Sequence, residues 1–157
     1  MIRFLLLPIL LLAAFSSLSA QIFPPDQSRY TIEREQIKAK LLDLSRYIVE
    51  ADIGQIITCY TWDGLRYPER GTLWMRKGLE EDLWHIPNGE DITAHDIQLD
   101  QLVITDQDAF CNGKYYGKSL DEEGREVPWE GYFNIQWLRV DNDWQIETNS
   151  WLRIVEY

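Results

Sequence analysis

Part-way along the chain the apolar residues change from a helical period to a strand-like one. Ile37, Leu41, Leu44, Ile48 and Ala51 recur at i, i+4, i+7, i+11 and i+14, and Glu33, Lys38, Lys40, Asp43 and Arg46 stay off that line. This is the stripe of a long amphipathic helix opening at Thr31. After Pro87-Asn88-Gly89 come four segments rich in β-formers, Ile97 to Thr105, Ala109 to Lys118, Trp129 to Asp141 and Trp144 to Val155. The clusters DQD, LDEEGREVP and DND separate them as turns. Helices followed by a meander of long strands predict an α+β fold, with the helices on one face of the sheet.

Between the two regimes the signals are shorter. Asp52 stands three residues before Gln55, a cap that opens a second helix from Ile53 to about Tyr60. Leu65 to Tyr67 and Thr72 to Arg76 suit a small hairpin, and Leu79 to Trp84 a short helix with Glu80, Glu81 and Asp82 in its early turns. Strict alternation in the last strand puts Trp144, Ile146, Thr148, Ser150, Leu152 and Ile154 on one face. Gln145, Glu147, Asn149, Trp151 and Arg153 fall on the other, which makes Trp151 a candidate for an outer sheet surface shared by a homodimer.

With 157 residues the chain fits a single domain. Residues 1–20, MIRFLLLPILLLAAFSSLSA, have one charge, an apolar run from Phe4 to Phe15 and small residues ending at Ala20. That is the layout of a secretory signal peptide, and its apolar run is shorter than the roughly 20 residues that span a bilayer. The expected organisation is a signal peptide at 1–20, a loose polar leader at 21–30 and one domain at 31–157. The product is then expected to be secreted or periplasmic, with no stable membrane anchor after cleavage; the alternative reading of the same segment is an uncleaved membrane anchor. A formal charge of −11 repels phosphate backbones and anionic lipid, so nucleic acid is not an expected partner.

Two cysteines, Cys59 and Cys111, leave a disulfide and two buried free thiols as alternatives. With only His85 and His95 beside them, no metal-ligand spacing is present, and no cofactor motif appears.

The order of these pieces resembles the nuclear transport factor 2-like superfamily and, within it, the SnoaL-like group. The resemblance covers residues 31–155. It rests on the long helix running into EADIGQIITCYTWDG, then KGLEEDLW, the strand pair ITDQDAFCNGKYYG, and YFNIQWLRVDNDWQIETNSW, where an aromatic-ended strand, an acidic turn and a Trp-led strand follow one another. It implies a cone-shaped, curved antiparallel or mixed sheet wrapped against the long N-terminal helix and short helices, around a cavity. Relatives of this kind include isomerases, dehydratases, hydrolases and binding or assembly modules, and fold alone does not choose among them.

Within YTWDGLRYPERG, Asp63 matches the Asp that such domains carry just after the second helix. It is either a cavity base among Tyr60, Trp62 and Tyr67, or an Asp-Gly turn former. A ketosteroid-isomerase-like set does not carry over, since Leu44 stands near the place of the donor Tyr and Asn134 or Ile135 at that of the donor acid. His95 is an acid–base candidate, but Asp96 points to the opposite strand face and cannot orient it. His85, after Trp84 at a helix end, suits a structural role.

The candidate catalytic residues are therefore Asp63 and His95. The candidate ligand-binding residues are Tyr60, Asp63, Trp84, Cys111, Asn134 and Ser150, around an aromatic-lined pocket for a small apolar or mixed-polarity molecule. Two functions follow. One is an exported binding or accessory domain; the other is an isomerase, dehydratase or hydrolase working by proton transfer or water addition through Asp63.

Overall fold

The computed structural model describes residues 26–67, 74–75 and 91–154; the expected signal peptide, the helix at 79–84, Trp84 and His85 lie outside these residues. The chain enters through a single 3₁₀ turn, Gln27–Tyr30, and continues as α1 (Thr31–Val49) and α2 (Ile53–Thr58). It then forms β1 (Tyr60–Tyr67), β2 (Trp74–Met75), β3 (Ile92–Ile104), β4 (Asp108–Leu120), β5 (Glu126–Val140) and β6 (Asp143–Ile154). The α+β class holds, with a curved mixed sheet in the order β2-β1-β6-β5-β4-β3. Its pairs are antiparallel except β1 with β6, which is parallel.

The helical stripe is confirmed in its central members. Ile37, Leu41, Leu44 and Ile48 are buried, and Ser45 joins them, whereas Ala51 is exposed beyond the helix end. They meet Leu102, Ile104, Ala109, Cys111, Phe133, Ile135 and Trp137 from the sheet in one core. The second helix starts as expected, with the Asp52 carboxylate accepting from the Gln55 N–H at 3.0 Å. The expected small hairpin is present as well, pairing Leu65 with Met75 and Arg66 with Trp74.

The leader differs from expectation. From Gln27 onward it is tied to the sheet: the Gln27 amide donates to the Ile104 carbonyl at 3.1 Å and accepts from the Ile104 N–H at 2.8 Å. Tyr30 is buried, and its hydroxyl donates to Asp106 at 2.9 Å. A side-chain amide that mimics a strand neighbour completes the hydrogen bonding of β3 at its end, which composition alone does not reveal.

The turns follow their residues. Between β5 and β6, Asp141 and Asn142 adopt φ of 49° and 65°, and Val140 pairs with Asp143 around them. Two left-handed residues match the twist of a two-residue hairpin, and Asp and Asn tolerate that region better than other side chains.

One irregularity overturns the expected face pattern of β6. Gln136 pairs with Thr148 but Trp137 pairs with Ile146, so Glu147 is an extra residue on β6. A bulge of one residue reverses the parity of everything beyond it. Trp144 and Ile146 remain on the helix-covered face, and past the bulge that face receives Asn149 and Trp151 in place of Ser150 and Leu152. Trp151 therefore does not belong to an outer surface: its ring packs against Tyr115 and Phe133. The large apolar residues exposed on the outer face of the long strands are Phe110, Tyr132 and Leu152.

Candidate functional site

His95 is brought into the covered face by register. It pairs with Gly117 on β4, and Gly117 pairs with Trp129 on β5. The next rows place Tyr115 opposite Gly131 and Gly113 opposite Phe133, so aromatic rings and glycines alternate across the two strands. A methyl at Gly117 would collide with the Trp129 indole, and one at Gly131 with the Tyr115 phenol and the Leu152 carbonyl. Each ring thus lies low across the glycine facing it, an arrangement that needs hydrogen at those positions.

The rings touch one another. The His95 ring stacks with Tyr115 at 6.0 Å and an interplanar angle of 12°, and it meets Trp129 at 5.8 Å and Trp151 at 5.5 Å. Tyr115 lies 4.7 Å from Trp151. Such pairs contribute about 0.5–1.5 kcal/mol each beyond the area they bury. The remaining constraint comes from the helix, where Ser45 Oγ of α1 lies 2.9 Å from His95 Nδ1. That contact makes Nδ1 the fixed nitrogen of the ring, and the direction of the Ser45 hydroxyl sets the tautomer. The orienting partner comes from α1 rather than from a neighbouring strand, and Asp96 is turned to the other face, opposite Tyr116.

A cavity of about 880 Å³ opens at this end of the sheet, lined among others by His95, Trp129, Asp96, Lys118, Glu130 and Ile154. This volume is within the usual range of small-molecule sites. Its one lysine is engaged, since Lys118 donates to Glu126 at 2.9 Å. Asp96 and Glu130 thus give the rim a negative character.

Solved structures share this architecture. A protein of unknown function from Mycobacterium tuberculosis superposes with a TM-score of 0.69 at 17% identity, over 84% of this chain and 77% of that one. A ketosteroid isomerase-like protein from Erwinia carotovora atroseptica gives 0.68 at 18% identity, over 80% and 99%. A nuclear transport factor 2-like protein with a cystatin-like fold from Novosphingobium aromaticivorans gives 0.64 at 13% identity, over 80% and 84%. This chain has the nuclear transport factor 2-like fold. No protein-family model and no curated protein matches it. At these identities the likeness is one of fold, which hosts many unrelated activities.

On the nuclear transport factor 2-like fold the expected site residues separate. Asp63 is exposed, in an irregular stretch of β1 where the pairing jumps from Tyr60 opposite Ile146 to Leu65 opposite Thr148. Asp63-Gly64 lies within the strand Tyr60–Tyr67 and not in an Asp-Gly turn, and the carboxylate is exposed and not in a buried wall. Gly64 answers to the tight bulge, because a Cβ there would stand 2.9 Å from the carbonyls of Ile146 and Thr61. Asp63 also fails to meet His95, since β6, β5 and β4 separate their strands, roughly 19 Å at 4.8 Å per strand.

Tyr60 is buried and interior, and its hydroxyl accepts from Asn149 Nδ2 at 2.9 Å. Asn134 is exposed on the outer face and Ser150 lies beside it, its hydroxyl 3.4 Å from the Asn134 carbonyl, so neither belongs to the cavity. The β6 bulge accounts for Ser150, and the alternation of β5, with Phe133 and Ile135 inside, for Asn134. Sequence reasoning missed Ser45, Asn149 and the glycine rows. A Gly-aromatic alternation in KYYGK and WEGYF was a legible signal for the last of these.

Among the described residues, Asn149 Oδ1 and Trp151 Nε1 are buried without a hydrogen-bond partner. Groups of this kind cost about 1–3 kcal/mol each when left unbonded.

Cys111 is a core residue rather than a ligand contact: it is fully buried, and its sulfur accepts from Trp137 Nε1 at 3.2 Å. Both cysteines are free. Cys59 adjoins β6 through the Ile146 N–H, whereas Cys111 is on β4 with β5 and β6 between, far beyond disulfide reach. Burial pushes both thiols up to about 11. At pH 8 a thiol so shifted holds about a hundredfold less thiolate than an ordinary one near 9, and iodoacetamide labelling of the native protein is expected to slow by about that factor relative to the unfolded chain. Raised folded-state values also mean that their contribution to stability is complete below pH 9 and is lost as pH rises through 11. Fast labelling of both thiols at pH 8 in the native state would contradict the burial.

Proposed function

We propose that this chain is an exported SnoaL-like domain that binds a small, largely apolar molecule in the cavity at His95 and Trp129. The observation that carries the reading is an imidazole held by Ser45 at 2.9 Å among three aromatic rings, beside a cavity of about 880 Å³ that His95 and Trp129 line. Rings laid over glycines leave flat apolar area to a ligand, and one oriented imidazole supplies a polar contact. Support for an enzyme working through Asp63 is weaker, because that carboxylate is exposed and four strand positions from His95.

The test is a panel of neutral aromatic and aliphatic molecules, followed by thermal unfolding and tryptophan fluorescence of the mature protein. A ligand present at about 100 times its Kd stabilises the fold by roughly 2.7 kcal/mol, a shift of several degrees for a chain of this size. Trp129→Ala is expected to weaken binding by about tenfold or more while circular dichroism stays native. No shift with any compound would remove the reading.

A further inference from the structure

The cavity at His95 and Trp129 is built from one end of four strands, the start of β3 and β5 and the end of β4 and β6, so residues of both sheet faces line it. The covered face contributes His95 and Trp129. The opposite face contributes one cross-strand row: Asp96 on β3 pairs with Tyr116 on β4, Tyr116 with Glu130 on β5, and Glu130 with Ile154 on β6. All four residues of that row line the cavity. Residues directly opposite one another across a sheet share a face, so Tyr116 stands between two carboxylates with an apolar side chain beyond the second. Its hydroxyl donates to Gln98 Oε1 at 3.4 Å.

No neighbouring cation neutralises this row. Lys118 lines the same cavity but donates to Glu126 at 2.9 Å, and the third acid of the lining, Asp121, accepts from Arg125 at 2.8 Å. Among the described residues the side chains of Asp96 and Glu130 enter no hydrogen bond and no ion pair. Two uncompensated negative charges thus face one cavity, on a chain whose formal charge is already −11. A concave site lined by one sign of charge concentrates ligands of the other. A hard metal ion does not answer the arrangement. Such an ion takes about six oxygen ligands, the two carboxylates stand on strands roughly 10 Å apart, and no group of three metal-binding side chains converges among the described residues.

We infer that the ligand of this cavity is an organic ammonium ion with an apolar body. The ammonium group sits at Tyr116 between Asp96 and Glu130, where an aromatic ring adds to the pull of the charges. The body fills the apolar part of the same lining, Val127, Trp129 and Ile154. A carboxylate-bearing ligand of the same shape is repelled at the row that attracts the amine. The inference rests on the cavity reading above and adds the charge of the ligand.

Three probes of one size separate the possibilities: benzylamine, protonated at pH 7, benzyl alcohol and benzoate, titrated into the mature protein with tryptophan fluorescence and calorimetry as readouts. Benzylamine is expected to bind about tenfold more tightly than benzyl alcohol, with benzoate the weakest. Asp96→Asn or Glu130→Gln alone should reduce that advantage to about threefold, and the two together should remove it while the affinity for benzyl alcohol stays unchanged. Neither side chain is buried, so the variants keep the fold. Raising salt from about 0.05 to 0.5 M should shrink the advantage as well. Trp129→Ala should weaken amine and alcohol by the same factor, since both place a ring there. Benzyl alcohol or benzoate binding as tightly as benzylamine, or an advantage untouched by the double variant, would overturn the inference while leaving the cavity reading intact. Amine binding indifferent to Trp129→Ala would overturn it too, because the ammonium would then be held by the acidic surface at large. Binding by none of the three would overturn both.

Discussion

Trp137→Ala is expected to lower the stability of the domain by about 3–5 kcal/mol. Trp137 is fully buried, pairs with Ala109 on one side and Ile146 on the other, and donates its indole N–H to Cys111 Sγ at 3.2 Å. Removing the ring leaves a hole on the covered face of a sheet whose strand spacing is set by backbone hydrogen bonds, so the sheet cannot close over it, and the core shared with Leu44 and Ile37 loses one of its largest fully buried side chains. Domains of this size have about 5–15 kcal/mol in total, so the variant stands near the limit of folding. With urea slopes of about 1–3 kcal/mol per molar, the midpoint should fall by more than about 1 M. Trp137→Phe, which keeps most of the volume, should fall by much less. A change below about 1 kcal/mol in Trp137→Ala would mean that the helix can settle into the gap, and the packing described here would be wrong.

Gly131→Ala is expected to cost about 1–3 kcal/mol although it adds a single methyl group. That methyl collides both with the Tyr115 phenol and with the Leu152 carbonyl, a backbone atom fixed by the β5–β6 ladder. Relief requires moving a strand. At Gly117 the colliding atoms all belong to the Trp129 side chain, which is half-buried at the cavity and can rotate away. Gly117→Ala should therefore be the milder variant in urea and the stronger one in ligand affinity, because its cost appears as an indole pushed into the cavity. The order of the two stabilities is the readout. If Gly117→Ala were the more destabilising, the Trp129 ring would be a structural keystone and not a movable wall.

Much of the architecture is legible in the sequence. The stripe of Ile37, Leu41, Leu44 and Ile48 named the buried face of α1, and Asp52 named the start of α2 through its bond to the Gln55 N–H at 3.0 Å. Asp141-Asn142 marked a tight turn because few other residue pairs accept two successive left-handed conformations. These are local matters, in which a residue's own chemistry within one turn of chain settles the outcome. The resemblance in the order of the pieces led to the same fold that the solved structures share.

The site was less legible. Tyr60 and His95 did prove interior, but Asp63, Asn134 and Ser150 are outside it and Trp151 is inside, because strand alternation has a period of two and any bulge reverses it. The sequence of β6, WQIETNSWL, reads equally well in either parity: Thr148 and Ser150 could face in, or Asn149 and Trp151. Only pairing with β5, where Gln136 and Trp137 meet Thr148 and Ile146, decides for the second. Likewise Ser45 and His95 are 50 positions apart and meet only because α1 crosses the end of β3. From the sequence by itself came the class, the helices, the long strands and the acidic character, since each depends on neighbours along the chain. The tertiary structure alone decided which polar groups share a cavity, because convergence depends on register, and register is set by the sum of contacts over whole strands.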